Sequence, residues 1–344
     1  MKILVIGGTN FIGPPVIRQL YAMGHKVTIF HRGKTTADLP NGIRHLLGDR
    51  SQLTQMKSEF KRLSPQVVLD MFPYTEADAI ALMNVFQNIA ERVVAVSSID
   101  VYRAYSVLLG KEADLVPVPL TEDSPLRQQL HLFREIAARP LNAPADYEKV
   151  LVERVVMHYP DLPGTIVRLP MVYGTQDPLN RLFPYLKRMD ENRPAIVLPE
   201  SIAQWRGSYG YVENAAYAIA LAVTSDRAKG RIYHVADAEL NEAERLSKVG
   251  QVAGWQGKIV PVAKEYLPAD WSLPYNTAQH WFVDTSRIRQ ELGYSEVVTL
   301  ESALKATIDW QRSHPPKEIS PWTGTELLDY ATEDRILHES FRSL

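Results

Sequence analysis

The run Gly7-Gly8-Thr9-Asn10-Phe11-Ile12-Gly13 stands between an apolar stretch, residues 3–6, and a segment of helical periodicity, residues 11–23. Small residues there let the chain turn sharply, bring its backbone against a pyrophosphate and lay the next helix close to the strand. The helix N-terminus then offers N–H groups and the positive end of its dipole to the phosphates. Asn10 takes the place of the expected middle glycine, and Asn is one of the few other residues that tolerate a left-handed backbone. Position at the first strand–helix junction favours dinucleotide binding over an ordinary glycine turn, with all seven residues as cofactor contacts.

The second candidate is Phe30-His31-Arg32-Gly33-Lys34, at the end of the second apolar run. NAD sites usually place an Asp or Glu there to hold both ribose hydroxyls. This turn has no acid, and Arg32 and Lys34, beside His31, could pair with a 2′-phosphate. The reading favours NADP over NAD; a solvated basic turn is the plain alternative. Asp49 and Arg50 follow the third short run, where an adenine edge would lie, and Asp49 could accept from the adenine amino group.

The elements that must position these residues alternate. Short β-rich runs at 3–6, 27–30, 43–47, 67–69, 93–96 and 165–168 are separated by helical stretches such as 76–90 and 147–158. Strands alternating with helices imply right-handed crossovers and a parallel sheet covered on both faces. The expected class is α/β: a doubly wound Rossmann sheet in residues 1–174, rejoined by about 208–238, with a smaller C-terminal α/β substrate lobe from 175–207 and 239–344.

With 344 residues, 38 Lys+Arg against 40 Asp+Glu, and a net charge of -2, the chain lacks the cationic surplus that holding a phosphate backbone requires. Nucleic acid is therefore weighed against, although a basic patch on one face stays open. Zero cysteines remove disulfides, thiol nucleophiles and cysteinyl metal sites, and fit a reducing compartment. The nine histidines show no metal-ligand spacing, so no metal site is expected. No apolar run approaches the roughly 18–20 residues needed to span a bilayer. The chain reads as a cytoplasmic protein acting on a small molecule, with a homo-oligomer possible.

Four further stretches join the glycine turn: Val96-Ser97-Ser98-Ile99-Asp100-Val101-Tyr102, Arg168-Leu169-Pro170-Met171-Val172-Tyr173-Gly174, Gly210-Tyr211-Val212-Glu213-Asn214-Ala215-Ala216, and Asp284-Thr285-Ser286-Arg287-Ile288-Arg289-Gln290-Glu291-Leu292-Gly293-Tyr294. In this order and separation, from residue 1 to about 314, the chain resembles the extended short-chain dehydrogenase/reductase superfamily, the NAD(P)-dependent epimerase/dehydratase group. The resemblance implies an enzyme that oxidises, epimerises or dehydrates a sugar-like or nucleotide-sugar substrate by reversible hydride transfer. Within the superfamily the opening Gly-Gly-Thr-x-Phe-Ile-Gly looks closest to an atypical branch that includes chloroplast stem-loop RNA-binding proteins. The alternative is thus a cofactor-binding member that lacks the usual chemistry and acts as an RNA-binding or regulatory protein.

The resemblance also implies a Ser, a Tyr and a Lys. Counting back from Tyr102 places Ser98 at the serine position, with Ser97 beside it as a cofactor contact. Lys149, with Glu153 four residues on, takes the lysine position, touching the nicotinamide ribose as well as serving catalysis. The tyrosine position then falls on Ala145, and Tyr147 lies two residues later, about 200° round a regular helix. Three readings remain. A distorted helix start after Pro144 repositions Tyr147; another phenol, Tyr102 or Tyr74, serves; or the chain binds cofactor without this chemistry. Tyr102, Tyr173 and Arg206 are assigned to the substrate side, Arg206 because its fork suits a diphosphate or carboxylate. A surface ion pair is the plain reading of Arg206.

Overall fold

The protein was studied as a computed structural model that describes residues 1–134, 143–268, 275–319 and 329–342. Within them the chain runs β1 (Lys2–Ile6), α1 (Gly13–Ala22), β2 (Lys26–His31), β3 (Arg44–Leu47), α2 (Lys57–Leu63), β4 (Val67–Asp70), α3 (Glu76–Phe86), β5 (Arg92–Ser98), α4 (Arg103–Leu108), α5 (Lys149–His158), β6 (Gly164–Leu169) and β7 (Met171–Tyr173). The second half adds α6 (Phe183–Asp190), β8 (Ala195–Pro199), α7 (Glu200–Ala203), β9 (Tyr209–Tyr211), α8 (Val212–Thr224), β10 (Ile232–His234), α9 (Glu242–Ala253), β11 (Lys258–Val262), α10 (Ser286–Leu292), α11 (Leu300–Ser313) and α12 (Tyr330–Arg342).

Seven strands form one sheet in the order β10-β6-β5-β4-β1-β2-β3, and every pairing is parallel. Strand order reverses between β1 and β4. In open parallel sheets this switch point opens a crevice at the carboxyl ends of the strands, where ligands bind. The glycine turn leaves β1 there, and residues 71–75 leave β4 beside it.

The two faces of the sheet are read directly from strand alternation. Ile3 and Val5 point to a core shared with Val16, Ile17 and Leu20 of α1 and with the alanines of α8. Leu4 and Ile6 point the other way, to Phe60, Leu82, Phe86 and Val152 of α2, α3 and α5. Alanine at 215, 216, 218, 220 and 222 keeps α8 slim enough to lie close against α1. Its C-terminal carbonyls are met by Arg92, buried at the start of β5, which donates to Ala222 O (3.1 Å), Ser225 O (2.6 Å) and Val223 O. Two small parallel sheets, β8–β11 and β7–β9, lie outside the main one. No helix among the described residues is long and apolar enough to cross a membrane.

Two local expectations change. Among the non-glycine residues of the glycine turn, the one with positive φ is Phe11 (φ 43°), not Asn10, because the bend that aims α1 falls one residue later. Helix α5 begins at Lys149, not at 147, because Glu148 (φ -158°, ψ 89°) caps it with its own carboxylate on Val150 N at 3.0 Å.

Gly13 lies where a Cβ would stand 2.3 Å from Gly8 Cα and 2.4 Å from Gly8 O, backbone atoms that cannot yield. Gly13→Ala is expected to lower stability by about 2–3 kcal/mol, the cost of overpacking against fixed atoms, seen as a fall in melting temperature.

Candidate active site

Lys149 opens α5, and its ammonium is enclosed. Nζ donates to Val96 O at 2.9 Å and Pro73 O at 3.0 Å, so it bridges the end of β5 to the loop after β4. The Tyr74 and Tyr147 rings lie 5.3 and 5.8 Å from Nζ, within cation–π range. Burial lowers the Lys149 pKa to about 8, partly offset by Asp100 and Asp70. Two of its three N–H groups are thus spent on carbonyls, and one is left to meet a ligand.

Tyr147 reaches this lysine because residues 144–148 are not helical. Tyr147 N donates to Pro144 O (3.0 Å) in a turn, and Glu148 N donates to Tyr74 O (2.8 Å). Glu148 itself is buried and accepts both Nη atoms of Arg127 (2.8 and 2.6 Å) and His131 N (2.6 Å). The 200° separation computed for a continuous helix therefore does not apply. The phenol donates to Asp100 Oδ2 at 2.7 Å, and its ring lies between Tyr74 and Phe133. Burial, then the Asp100 charge, raises the Tyr147 pKa well above its usual value. Asp100 is raised as well, by burial, with Arg127 and the Tyr147 hydrogen bond acting against it.

Ser98 closes β5, and its Oγ accepts from Asp100 N at 3.2 Å, so serine and aspartate belong to one capped turn. Tyr74 is set by the capping box of α3, in which Asp78 Oδ2 accepts from Tyr74 N and Thr75 N (3.1 and 3.0 Å). Phe72 continues the row towards the glycine turn, its ring 6.0 Å from Tyr74 and close enough to Gly7 that a Cβ there would stand 2.9 Å from Phe72 Cδ2. Tyr74, Tyr147 and Lys149 thus form one cluster, to which Ser98 is linked through Asp100, and an aromatic row joins it to the turn at Gly7, Gly8, Thr9, Asn10, Phe11, Ile12 and Gly13.

At that turn Gly7 and Gly8 both have positive φ. Pro14 and Pro15 stand in the first turn of α1 and carry no amide hydrogen. Donors for an anion must come from the turn itself rather than from the second and third helical residues. Thr9 Oγ1 meets Thr35 Oγ1 at 2.8 Å across the crevice mouth. At the end of β2, His31 pairs with His45 (3.0 Å), and burial together with that neighbour lowers its pKa. Arg32 and Lys34 are exposed and carry the positive charge of this edge. Asp49 caps the next turn on Ser51; these bonds, then Arg32 and Lys34, hold its carboxyl below the usual range.

The remaining predicted residues do not join the cluster. Arg50 donates to both oxygens of buried Asp70, to Asp78 (3.1 Å) and to Phe72 O (3.1 Å), which commits its guanidinium to the loop after β4. Ser97 donates to Glu153 Oε1 (2.5 Å), and Glu153 takes Arg168 Nε and Nη2 (3.0 and 2.6 Å), all three buried. Tyr102 has no exposed surface, and its phenol bonds Thr121 O (2.9 Å), His234 and Arg168. Tyr173 donates to Asp237 Oδ2 (3.0 Å) beside a cavity of about 20 Å³ lined also by Tyr209, Arg245 and Leu304. Exposed Arg206 pairs with Glu239 at 2.7 Å. The functional candidate missed by sequence reasoning is Asp100; its signal was an acid two residues after the end of β5. Among the described residues, no group of three or more His, Cys, Asp or Glu is arranged to hold a metal.

No family model matches the chain. Its sequence is 25% identical over 296 residues (83% of this chain, 75% of the other) to 2'-dehydrokanamycin reductase of Streptomyces kanamyceticus. It is also 25% identical over a 358-residue alignment (98% and 84%) to the chloroplast stem-loop binding protein of 41 kDa b of Arabidopsis thaliana. Among solved structures, UDP-glucose-4-epimerase from Stenotrophomonas maltophila, with bound NAD and formylated UDP-arabinopyranose, superposes with TM-score 0.67 at 17% identity, covering 91% of this chain and 98% of that one. The chain shares the fold of that epimerase. The relatives and structural neighbours include proteins named as epimerases, dehydratases and a reductase, and some of the solved structures hold NAD.

Removing one partner of the buried Arg168–Glu153 pair leaves an uncompensated charge. Glu153→Ala is expected to cost about 3–5 kcal/mol in urea unfolding, against at most about 0.5 kcal/mol for exposed Arg206→Ala.

Proposed function

We propose that the chain is an NAD(P)-dependent oxidoreductase of the epimerase, dehydratase or reductase kind, acting by hydride transfer on a sugar-like or nucleotide-sugar substrate. The observation that carries this reading is the meeting of Tyr147 with Lys149 beside Ser98, at the carboxyl end of β5 and next to the switch point. The kinds of enzyme among the relatives support it. The residues fit the cofactor: the turn around Gly13 has no room for a side chain, and its backbone is bent by three positive φ values. When bound, a nicotinamide dinucleotide supplies the hydride acceptor or donor.

In this reading residues 7–13 hold the pyrophosphate, Asp49 meets the adenine edge, and the exposed Arg32 and Lys34 hold a 2′-phosphate, which favours NADP. Lys149 keeps one N–H for the nicotinamide ribose and fixes the Tyr147 ring through its charge. Ser98 orients the substrate oxygen, and Tyr147 exchanges a proton with it. Residues 1–174 and 208–238 form the cofactor body; 175–207 and 239–344 form the substrate lobe, with Tyr173 and Arg206 on the substrate side. The absence of cysteine fits a cytoplasmic setting. A second reading, RNA binding or regulation, rests on the stem-loop binding relative; the net charge of -2 weighs against it.

Fluorescence titration with NADPH and NADH tests the cofactor reading. NADPH is expected to bind more tightly. The double change Arg32→Ala with Lys34→Ala should weaken NADPH about 10–100-fold, the worth of charge-assisted bonds to a phosphate, and leave NADH nearly unchanged. Tighter binding of NADH by the unmodified protein would overturn it. Incubation with NAD(P)+ and either dTDP-glucose or UDP-glucose, followed by product analysis, tests the reaction. Turnover that Tyr147→Phe lowers at least about 100-fold is the expected result.

A further inference from the structure

Asp100 is placed unlike an ordinary structural carboxylate. Its Oδ2 accepts the Tyr147 phenol at 2.7 Å, while its Oδ1 is buried with no hydrogen-bond partner among the described residues. The two cations that act on it are committed elsewhere: Arg127 gives both Nη atoms to Glu148 and only Nε to the Asp100 carbonyl, at 2.9 Å, and Lys149 Nζ donates to Val96 O and Pro73 O. A carboxylate held away from water, with no cation hydrogen-bonded to it among the described residues, is poised to take a proton. Tyr147, for its part, is not set up to be a phenolate. Its surroundings disfavour the charged phenol, so it can accept a substrate proton only if it hands on its own. Its hydrogen bond fixes where that proton goes.

We propose that Asp100 is the proton acceptor for Tyr147, so that the acid/base unit of this site is a Tyr147–Asp100 relay. The proposal rests on the reading that Tyr147 faces the substrate. In oxidation, the substrate carbinol O–H breaks and its proton bonds to Tyr147 Oη. The former phenolic O–H breaks in the same event, and its proton bonds to Asp100 Oδ2. A bound oxidised nicotinamide would take the hydride from the carbinol carbon, which would become the carbonyl. Asp100 ends as a neutral acid and the phenol is restored; reduction runs the same steps backwards. Asp100 acts through Tyr147 and is a positioning residue. The groups that face it are Tyr147 and Lys149, Arg127 and Glu148, and Tyr105 of α4.

Asp100→Asn is the decisive variant, because its amide oxygen still accepts the Tyr147 hydrogen bond but cannot take up the proton. The first measurement needs no substrate: ¹³C NMR titration of the Asp100 carboxyl, assigned with Asp100→Asn, in the unmodified protein and in Tyr147→Phe. Removing the phenolic donor should raise the Asp100 midpoint by about one pH unit or more; an unmoved midpoint overturns the relay. The second is the pH profile of NAD(P)+-dependent oxidation of dTDP-glucose or UDP-glucose. The acid limb should vanish in Asp100→Asn, with kcat reduced about 100-fold and KM within about threefold. An Asp100→Asn protein that keeps both the limb and kcat overturns the proposal. If the unmodified protein turns over neither sugar nucleotide, the substrate reading falls, and the relay stands or falls on the NMR titration alone.

Discussion

The site depends on the rotation of one helix about its axis, and a buried ion pair sets that rotation. Glu153 of α5 is gripped by Arg168 from β6 and by Ser97 from β5, so the face of α5 that carries it must point at the sheet. Lys149 lies four residues earlier, on the same face, and is thereby aimed at the ends of β4 and β5. Its two carbonyl partners, Val96 and Pro73, then fix the height of the helix above those strands. Desolvating such a pair is costly, and apolar packing could match its contribution to stability. Its role here is orientation: one guanidinium fork and a hydroxyl converge on one carboxylate, and the register of α5 that satisfies both is the one observed.

The doubly wound sheet was legible in the sequence because its central parallel strands are buried on both faces and read as apolar runs, ended by a turn, while the edge strand β3 is largely exposed. The glycine turn was legible for a related reason, since its residues are chosen by backbone geometry that no other type satisfies as cheaply. Even so, Asn10 looked like the residue with a left-handed backbone, and Phe11 takes that conformation; local preference ranks residues but does not say where a bend falls. The tyrosine was harder. Its apparent misregister came from continuing the α5 pattern back through 147, whereas buried Glu148, locked to Arg127 twenty-one residues earlier, ends the helix there. A cap made by a distant partner leaves no local signal. For the same reason Arg50, Ser97 and Tyr102 looked available: their partners Asp70, Glu153 and His234 are remote in sequence and adjacent only in the fold.

The cofactor turn and the reactive cluster are also coupled physically. Phe72, Tyr74, Tyr147 and Phe133 make a continuous line of rings that starts at Gly7 and passes the phenol bound to Asp100. Arg50, tied to Asp70, Asp78 and the Phe72 carbonyl, stiffens the loop that bears the first two rings. A shift of that loop would move the wall of the phosphate turn and the bed of the lysine together.

Pro14 and Pro15 bear on the unfolded chain as much as on the folded one. Each fixes its own φ and restricts the residue before it. The conformational freedom surrendered when the segment becomes a phosphate cradle is therefore smaller than for an ordinary helix start. The two prolines give up amides that could have touched the anion, and in exchange the cradle is shaped when the protein folds rather than when a ligand arrives.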